Sequence, residues 1–311
     1  MKRIIAALLT AQLLLLAAVP ALAADKPLNI VCTIFPLYDW ARQIVGEDAQ
    51  VTLLMDSGVD LHNFQPTVAD MVTLSRADVF FYVGGESDAW VETTLAAVGS
   101  KPHVALIDYV HAKEEELLPG MEAEADEEED ALDGHIWLSL INAQSIVAAL
   151  RDQLIALRPA YAAAWTARAQ SYIQELAALE AEYAAALLDA PVKTLLFADR
   201  FPFRYLADDY GIACFAAFSG CSAETEASFE TILFLVNALR ENDLPAILTI
   251  EGSDGSIART VKENAKSDAP ILTLYSCQSV NAEQVKAGAT YLSLMRENLN
   301  TLQKALGKEG E

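Results

Sequence analysis

The stretch LNIVCTIF, residues 28–35, followed by Pro36 and a pattern that stops at Gly46, decides the fold class. The run is apolar throughout and rich in β-branched residues, which is typical of a strand buried on both faces of a parallel sheet. After Pro36 the apolar residues recur at helical spacing, and Gly46 is a common stop signal. A strand, a helix and a glycine stop together predict an α/β unit.

The same alternation of strands and helices continues through the first half of the chain and resumes in the second half. Buried strands are predicted at 51–55, 77–83, 104–107, 194–198, 212–218, 246–250 and 271–275. We therefore expect an α/β protein with two similar lobes, each a parallel sheet flanked by helices, and a ligand site beyond the carboxyl ends of the strands. One closing helix is expected from Ala282 or Gln284 to Leu306.

An Ala-rich segment between the two halves, residues 160–187, has helical spacing and no glycine. A helix of about 28 residues is roughly 42 Å long, so we expect one long rigid helix to join the lobes. The predicted organisation is a signal peptide at 1–23, an N-terminal lobe at 24–157 with an acidic loop at 113–133, a connecting helix at 158–189 and a C-terminal lobe at 190–311.

The chain begins with the pattern of a secretory signal. Lys2 and Arg3 precede an apolar run at 4–18, and Ala21-Leu22-Ala23 offers a small-residue cleavage site. A transmembrane anchor is the weaker alternative because the run is shorter than the roughly 20 residues that a bilayer needs. We expect cleavage near Ala23 and, since no cysteine lies at the junction, a freely soluble exported protein.

The charge balance is strongly acidic, with 44 acidic and 21 basic residues and a net charge of −23. Such a charge argues against nucleic acid as a partner. The acidic residues concentrate in 114–133, where Pro119 and Gly120 also occur. This segment is interpreted either as a solvated insertion without a role or as a weak collector of cations beside His135.

Two of the four histidines occupy loops that follow glycines. His62 lies in VDLHNFQPT, residues 59–67, after a predicted strand, and His135 lies in DGHIWLS, residues 133–139. Imidazole nitrogens from loops brought together by a fold can bind a divalent transition ion, so both are predicted metal ligands. His103 and His111 are interpreted as surface or strand-edge residues.

The four cysteines permit disulfides in an exported protein. Cys32, inside a predicted strand, is expected to be a buried apolar residue. Cys277 is either a thiolate ligand, which favours zinc, or a disulfide partner of Cys221 or Cys214. We expect a bridge between Cys221 and Cys277, because both lie near strand ends of one lobe.

Several motifs together resemble the zinc/manganese solute-binding proteins of ABC-type metal uptake systems. They are GVDLHNFQPTVADMVTLSRAD at 58–78, Gly84-Gly85 with Trp90, and DGHIWLS at 133–139 with Asn142-Ala143. The resemblance covers nearly the whole mature chain. It implies a periplasmic or other extracytoplasmic protein, expected to be a monomer, that binds Zn²⁺, or alternatively Mn²⁺, between its lobes as cargo for an ABC permease in the cytoplasmic membrane.

The resemblance also implies four metal ligands, of which this chain matches two. His62 and His135 carry over directly, whereas Arg200 and Tyr275 stand where the family has a histidine or glutamate and an aspartate. Arginine cannot act as a ligand because it stays protonated. The hypothesis is that Arg200 pairs with a carboxylate while Asp199 or Glu224 completes the shell. The alternative is that these acids are only salt-bridged or solvated.

Two other functions fit a pair of histidines. A zinc hydrolase also uses histidines and a carboxylate, but the sequence has no His-Glu-x-x-His run and no nucleophile elbow, so we expect no enzyme. An adhesin or scaffold with a structural metal is the remaining alternative. Metal affinity without hydrolase activity would distinguish the binding protein from the enzyme.

Overall fold

The computed structural model describes residues 26–56, 61–99, 101–121, 131–222 and 226–308. The expected signal peptide, residues 122–130 of the acidic loop and Glu224 lie outside the described residues. Within the described ranges, no helix combines the length and apolarity needed to cross a membrane.

The first lobe alternates strands and helices as the pattern predicts. Its strands are β1 (Leu28–Cys32), β2 (Ala49–Leu53), β3 (Val79–Tyr82) and β4 (His103–Ala105). Its helices are α1 (Phe35–Val45), α2 (Val68–Ser75), α3 (Trp90–Val98) and α4 (Leu140–Leu157). Short 3₁₀ turns at Leu61–Asn63, Glu86–Asp88, Leu106–Tyr109 and Ile136–Leu138 fill the loops.

The second lobe repeats this organisation after the long helix α5 (Ala162–Leu188). Its strands are β5 (Thr194–Phe201), β6 (Ala213–Ser219), β7 (Ile247–Ile250) and β8 (Ile271–Leu274). Its helices are α6 (Arg204–Tyr210), α7 (Phe229–Glu241), α8 (Ser256–Ala265), α9 (Ala282–Lys286) and α10 (Tyr291–Ala305).

The two sheets have the same strand arrangement. The first has the order β2-β1-β3-β4 and the second β6-β5-β7-β8, with all pairings parallel. In each sheet the first strand has the second strand on one side and the third on the other, so the connections on its two sides run in opposite directions. This change of direction opens a crevice beyond the carboxyl ends of the strands. The predicted fold class of two parallel sheets joined by one long helix is confirmed.

The lobes share one hydrophobic core. Its fully buried side chains come from both sheets and from one face of α5, where Trp165, Tyr172, Leu176 and Tyr183 lie. Buried polar groups cross the same boundary, since the Trp137 indole N–H donates to the Ser276 carbonyl at 2.7 Å. Side chains packed to crystal-like density resist sliding, so the two lobes are held as one body.

The closing helix differs from its prediction. The segment expected to run unbroken to Leu306 is divided into α9 and α10, because Gly288 adopts φ +99° and Thr290 caps a new helix. The Thr290 hydroxyl accepts the Ser293 backbone N–H at 3.1 Å, and the Ser293 hydroxyl accepts the Thr290 N–H at 3.0 Å. This reciprocal capping satisfies donors that a continuous helix would have bonded internally.

Candidate metal centre

His62 is held by the short turn Leu61–Asn63 between β2 and α2. The apolar neighbours Leu61 and Phe64 are buried, and the Phe64 ring packs against Trp90 with centroids 5.2 Å apart. The alternation of buried and polar residues in this turn therefore leaves the half-buried imidazole directed away from the core. The Ser87 hydroxyl lies 2.6 Å from its Nδ1.

His135 is completely buried and sits at the start of the turn Ile136–Leu138. The Oδ1 atom of Asp133 accepts the His135 backbone N–H at 2.8 Å and contacts its Nδ1 at 2.9 Å. An ionised carboxylate is an acceptor only, so Nδ1 carries a proton, and in the neutral imidazole Nε2 then presents a lone pair. Carboxylates commonly orient metal-binding histidines in this way.

The two imidazoles face each other through their Nε2 atoms, which are 3.2 Å apart. Two nitrogen ligands of a tetrahedral zinc ion, each at 2.0–2.1 Å from the metal, are separated by about 3.3 Å. The observed spacing fits two positions of such a shell. Two lone pairs at this distance repel one another, so the two nitrogens either share a proton as a hydrogen bond or bind a cation between them.

A third donor comes from the second lobe. The ligand atoms of His62, His135 and Cys221 all lie within 4.8 Å of one another. Cys221 follows the carboxyl end of β6 and is half-buried. Burial raises the pKa of its thiol, and the carboxylate of Glu115, which accepts a hydrogen bond from it, raises that pKa further. A positive ion beside the sulfur would have the opposite effect, since metal-bound thiols are deprotonated.

Gly220 provides the space in which His135 and the Cys221 loop meet. A Cβ atom at this glycine would lie 2.8 Å from Cε1 of His135 and 3.0 Å from the Phe201 carbonyl oxygen. The first contact is closer than real Cβ atoms show, and the second is tight enough that the Phe201 carbonyl would have to move. The loop after β6 therefore approaches His135 closely because residue 220 has no side chain.

The structure places the other residues of the predicted shell differently. Asp199 lies outside the three-residue group, because its Oδ1 accepts the Arg200 N–H at 2.8 Å and its Oδ2 accepts the Ile250 N–H at 3.3 Å. The Arg200 guanidinium donates to the Ser222 carbonyl at 3.4 Å, so it reaches the loop that carries Cys221. Glu224 lies outside the described residues. Both acids remain predictions as ligands.

The expected disulfide between Cys221 and Cys277 is wrong in this structure, where all four cysteines are free thiols. Cys277 is completely buried and its thiol faces the Tyr275 carbonyl at 3.8 Å, whereas Cys221 lies at the cleft. Sequence reasoning assigned Cys221 to a disulfide and missed it as a candidate ligand. Its position just after a predicted strand end was the available signal.

A site between two α/β lobes, with candidate ligand atoms from both, is typical of a two-lobed binding protein that holds a small ligand between its lobes. The chain belongs to the family described as zinc-uptake complex component A, periplasmic (ZnuA), whose model matches residues 30–305.

Similar proteins agree with this family. The chain is 30% identical over 295 residues to the zinc-binding lipoprotein AdcA of Streptococcus pneumoniae, covering 92% of this chain and 57% of the relative. It is 26% identical to the high-affinity zinc uptake system protein ZnuA of Bacillus subtilis, covering 91% of this chain and 88% of the relative. The chain thus spans little more than half the length of the AdcA relative.

Solved structures show the same fold. The Zn(II)-bound ZnuA-like domain of Streptococcus pneumoniae AdcA aligns with a TM-score of 0.75 and 27% identity, covering 91% of this chain and 100% of that domain. The laminin-binding protein Lmb of Streptococcus agalactiae aligns with a TM-score of 0.77 at 22% identity, covering 90% of this chain and 99% of that chain. The second likeness concerns the fold alone.

Proposed function

We propose that the protein captures Zn²⁺ as cargo between its lobes, outside the cytoplasm, and delivers it to an ABC permease in the cytoplasmic membrane. The observation that carries the proposal is the pair of Nε2 atoms 3.2 Å apart, with the sulfur of Cys221 within 4.8 Å of them. The family and the relatives named for zinc binding and zinc uptake support it.

The donor set favours zinc over manganese. His62 and His135 offer imidazole nitrogens, and Cys221 offers a soft sulfur. Imidazole and thiolate suit zinc, whereas manganese prefers carboxylate and water oxygens and binds more weakly to a given site of this type. We therefore expect zinc to displace manganese from the protein.

A competition titration against a zinc chelator tests the proposal, together with elemental analysis of protein purified without added metal. We expect stoichiometric zinc with a Kd well below about 1 µM. The single variants His62→Ala and His135→Ala should lose this affinity, whereas His103→Ala, which changes an exposed histidine, should keep it. Equal zinc affinity in all three variants would contradict the proposal.

Delivery needs its own test, because zinc affinity alone also fits an adhesin or scaffold that holds a structural metal. A reconstituted ABC permease for zinc, with its ATPase, should hydrolyse ATP faster with the zinc-loaded protein than with the His62→Ala variant. We expect no hydrolase activity from the zinc-loaded protein on ester, peptide or phosphate substrates. Size-exclusion chromatography should give a monomer.

A further inference from the structure

The two ends of the acidic insertion form a short antiparallel stem beside the metal centre. Glu114 bridges Leu132, the Glu115 N–H donates to the Ala131 carbonyl at 2.8 Å, and the Asp133 N–H donates to the Lys113 carbonyl at 2.8 Å. The second strand of the stem ends at Asp133, whose carboxylate orients His135. Residues 113–116 and 131–133, which we call the insertion stem, thus have a fixed register relative to the site.

The insertion stem is also fastened to the second lobe. The Lys113 N–H donates to the Tyr205 hydroxyl at 2.9 Å, and that hydroxyl donates to the Asp133 carbonyl at 2.8 Å. Arg204 donates to the Glu114 carbonyl and pairs with Glu116 at 3.3 Å. Because both lobes hold the stem, its side chains have defined positions across the cleft.

Besides Asp133, which contacts His135, the stem residue Glu115 brings its carboxylate to Cys221, although its oxygens lie outside the group of ligand atoms that are all within 4.8 Å of one another. It is half-buried, unlike its exposed neighbours Glu114 and Glu116. Its carboxylate accepts a hydrogen bond from the Cys221 thiol. It also lines a cavity of about 20 Å³ with Asp133 and Gly220, which is room for one water-sized group.

We propose that Glu115 is the fourth ligand of the cargo ion, so that the insertion stem completes a shell of two imidazoles, one thiolate and one carboxylate. Oxygen and sulfur ligands of one tetrahedral zinc ion lie about 3.6 Å apart, a spacing that a thiol–carboxylate hydrogen bond also has. Zinc would replace the thiol proton, which leaves to solvent. The shell is then electrically neutral, since Cys221 and Glu115 balance the two charges of the ion.

This inference rests on the proposed function, and the test separates the two. Glu115→Gln should lower zinc affinity by at least about a hundredfold, the upper end of what losing a partner outside the shell costs. The matched control Glu116→Gln should keep wild-type affinity. Melting curves of the metal-free variants check that both fold like the wild type.

Cobalt(II) substitution adds a spectroscopic readout. The wild-type Co²⁺ complex should show tetrahedral ligand-field bands and a sulfur charge-transfer band. Glu115→Gln should change the first and keep the second, whereas Cys221→Ser should abolish the second. X-ray absorption of the zinc-loaded wild-type protein, which requires no variant, should show one sulfur, one oxygen and two imidazoles.

Two results would overturn the inference. Wild-type affinity and cobalt spectrum in Glu115→Gln, with both lost in His62→Ala, would remove Glu115 from the shell and leave the proposed function intact. A wild-type shell in which X-ray absorption finds no oxygen ligand, as with three imidazoles and one sulfur, would also remove Glu115 from the shell. Unchanged zinc affinity in His62→Ala and His135→Ala would instead show that the proposed function itself has failed.

Discussion

The two histidines differ in how firmly their rings are held. His135 is completely buried, and Asp133 fixes its ring through an acceptor that cannot also donate. His62 is half-buried on a short turn, and the Ser87 hydroxyl at its Nδ1 can either donate or accept. His135 is therefore held in one orientation, whereas a neutral His62 presents its Nε2 lone pair only in the tautomer whose Nδ1–H donates a hydrogen bond to the Ser87 hydroxyl.

We predict that Ser87→Ala weakens zinc binding by about tenfold to a hundredfold, because His62 loses a group that orients its ring. Chelator competition measures the change. Ser75→Ala is the control, since its hydroxyl bonds only the neighbouring Val72 carbonyl on the exposed side of α2. Equal zinc affinities in the two variants would show that Ser87 does not position His62.

A buried carboxylate next to Ser87 makes stability depend on pH. Burial raises the pKa of Asp88 from 3.8 to about 6. The hydrogen bond that its carboxylate accepts from the Gly84 N–H at 2.9 Å lowers this pKa, but by less than burial raises it. Between these pH values the native state keeps a proton that the unfolded chain has released. The free energy of unfolding therefore falls as pH rises through this window.

We predict that Asp88→Asn is more stable than the wild type at pH 7, by up to about 3 kcal/mol, the free energy equivalent of the pKa difference. The gain should shrink below pH 6 and vanish below about pH 3, where the wild-type carboxyl is protonated in both states. Urea denaturation of the metal-free proteins at several pH values measures it. A gain that does not vary with pH would contradict the raised pKa.

Sequence reasoning found the imidazoles and missed their neighbours for a physical reason. A histidine in a loop after a buried strand is visible locally, and His62 and His135 do face each other. The closeness of Cys221 and Glu115 depends on how two lobes and an insertion meet, and no local pattern encodes that. The thiol was assigned to a disulfide, although the structure leaves its expected partner, Cys277, completely buried elsewhere.

At the scale of single elements, local rules predicted most strands and helices. The β-branched runs form strands. Thr67 caps α2 through reciprocal hydrogen bonds with Asp70, and the spacing of these two residues is the sequence pattern of a capping box. Two departures have nonlocal or competing causes. Thr290 and Gly288 divide the closing helix, and the register of β5 shifts between Phe197 and Arg200, the segment that contains Asp199.

The loop after β6 can be tested by adding a methyl group at Gly220. We predict that Gly220→Ala lowers zinc affinity, because the added methyl group would lie 2.8 Å from Cε1 of His135 and must displace the ring or the loop. Gly134→Ala is the matched control beside the same histidine, where the nearest atom would be 3.7 Å away. Chelator competition on both variants measures the difference.

The zinc affinities of the two variants also show whether the β6 loop must approach His135 closely. Lower zinc affinity in Gly220→Ala with wild-type affinity in Gly134→Ala would show that close approach of the β6 loop builds the site. Equal affinity in both variants would mean that the site tolerates a shift of the loop or of the His135 ring, and close approach at Gly220 would then not be required for zinc binding.

At the scale of the whole molecule, polar bonds between the lobes reinforce the shared core. Asp39 on α1 accepts the Tyr291 N–H at the start of α10 at 2.9 Å, and the Tyr291 hydroxyl donates to the Trp137 carbonyl at 2.6 Å. The Trp40 and Tyr291 rings meet edge to face at 4.9 Å. Breaking these contacts would expose buried polar groups, which is unfavourable.

We therefore predict that zinc loading leaves the radius of gyration unchanged to within about 1 Å, as in other complexes whose binding surface is already formed in the free protein. A hinge between the lobes would have to bend α5, which has no glycine or proline between Ala162 and Leu188, and would have to divide a core that both lobes share. Small-angle X-ray scattering with and without zinc measures the change. The double variant His62→Ala, His135→Ala is the control, because it should not bind zinc. Contraction of the wild type alone on zinc addition would mean that the lobes close on the ion, and the rigid connection inferred from α5 would then be wrong.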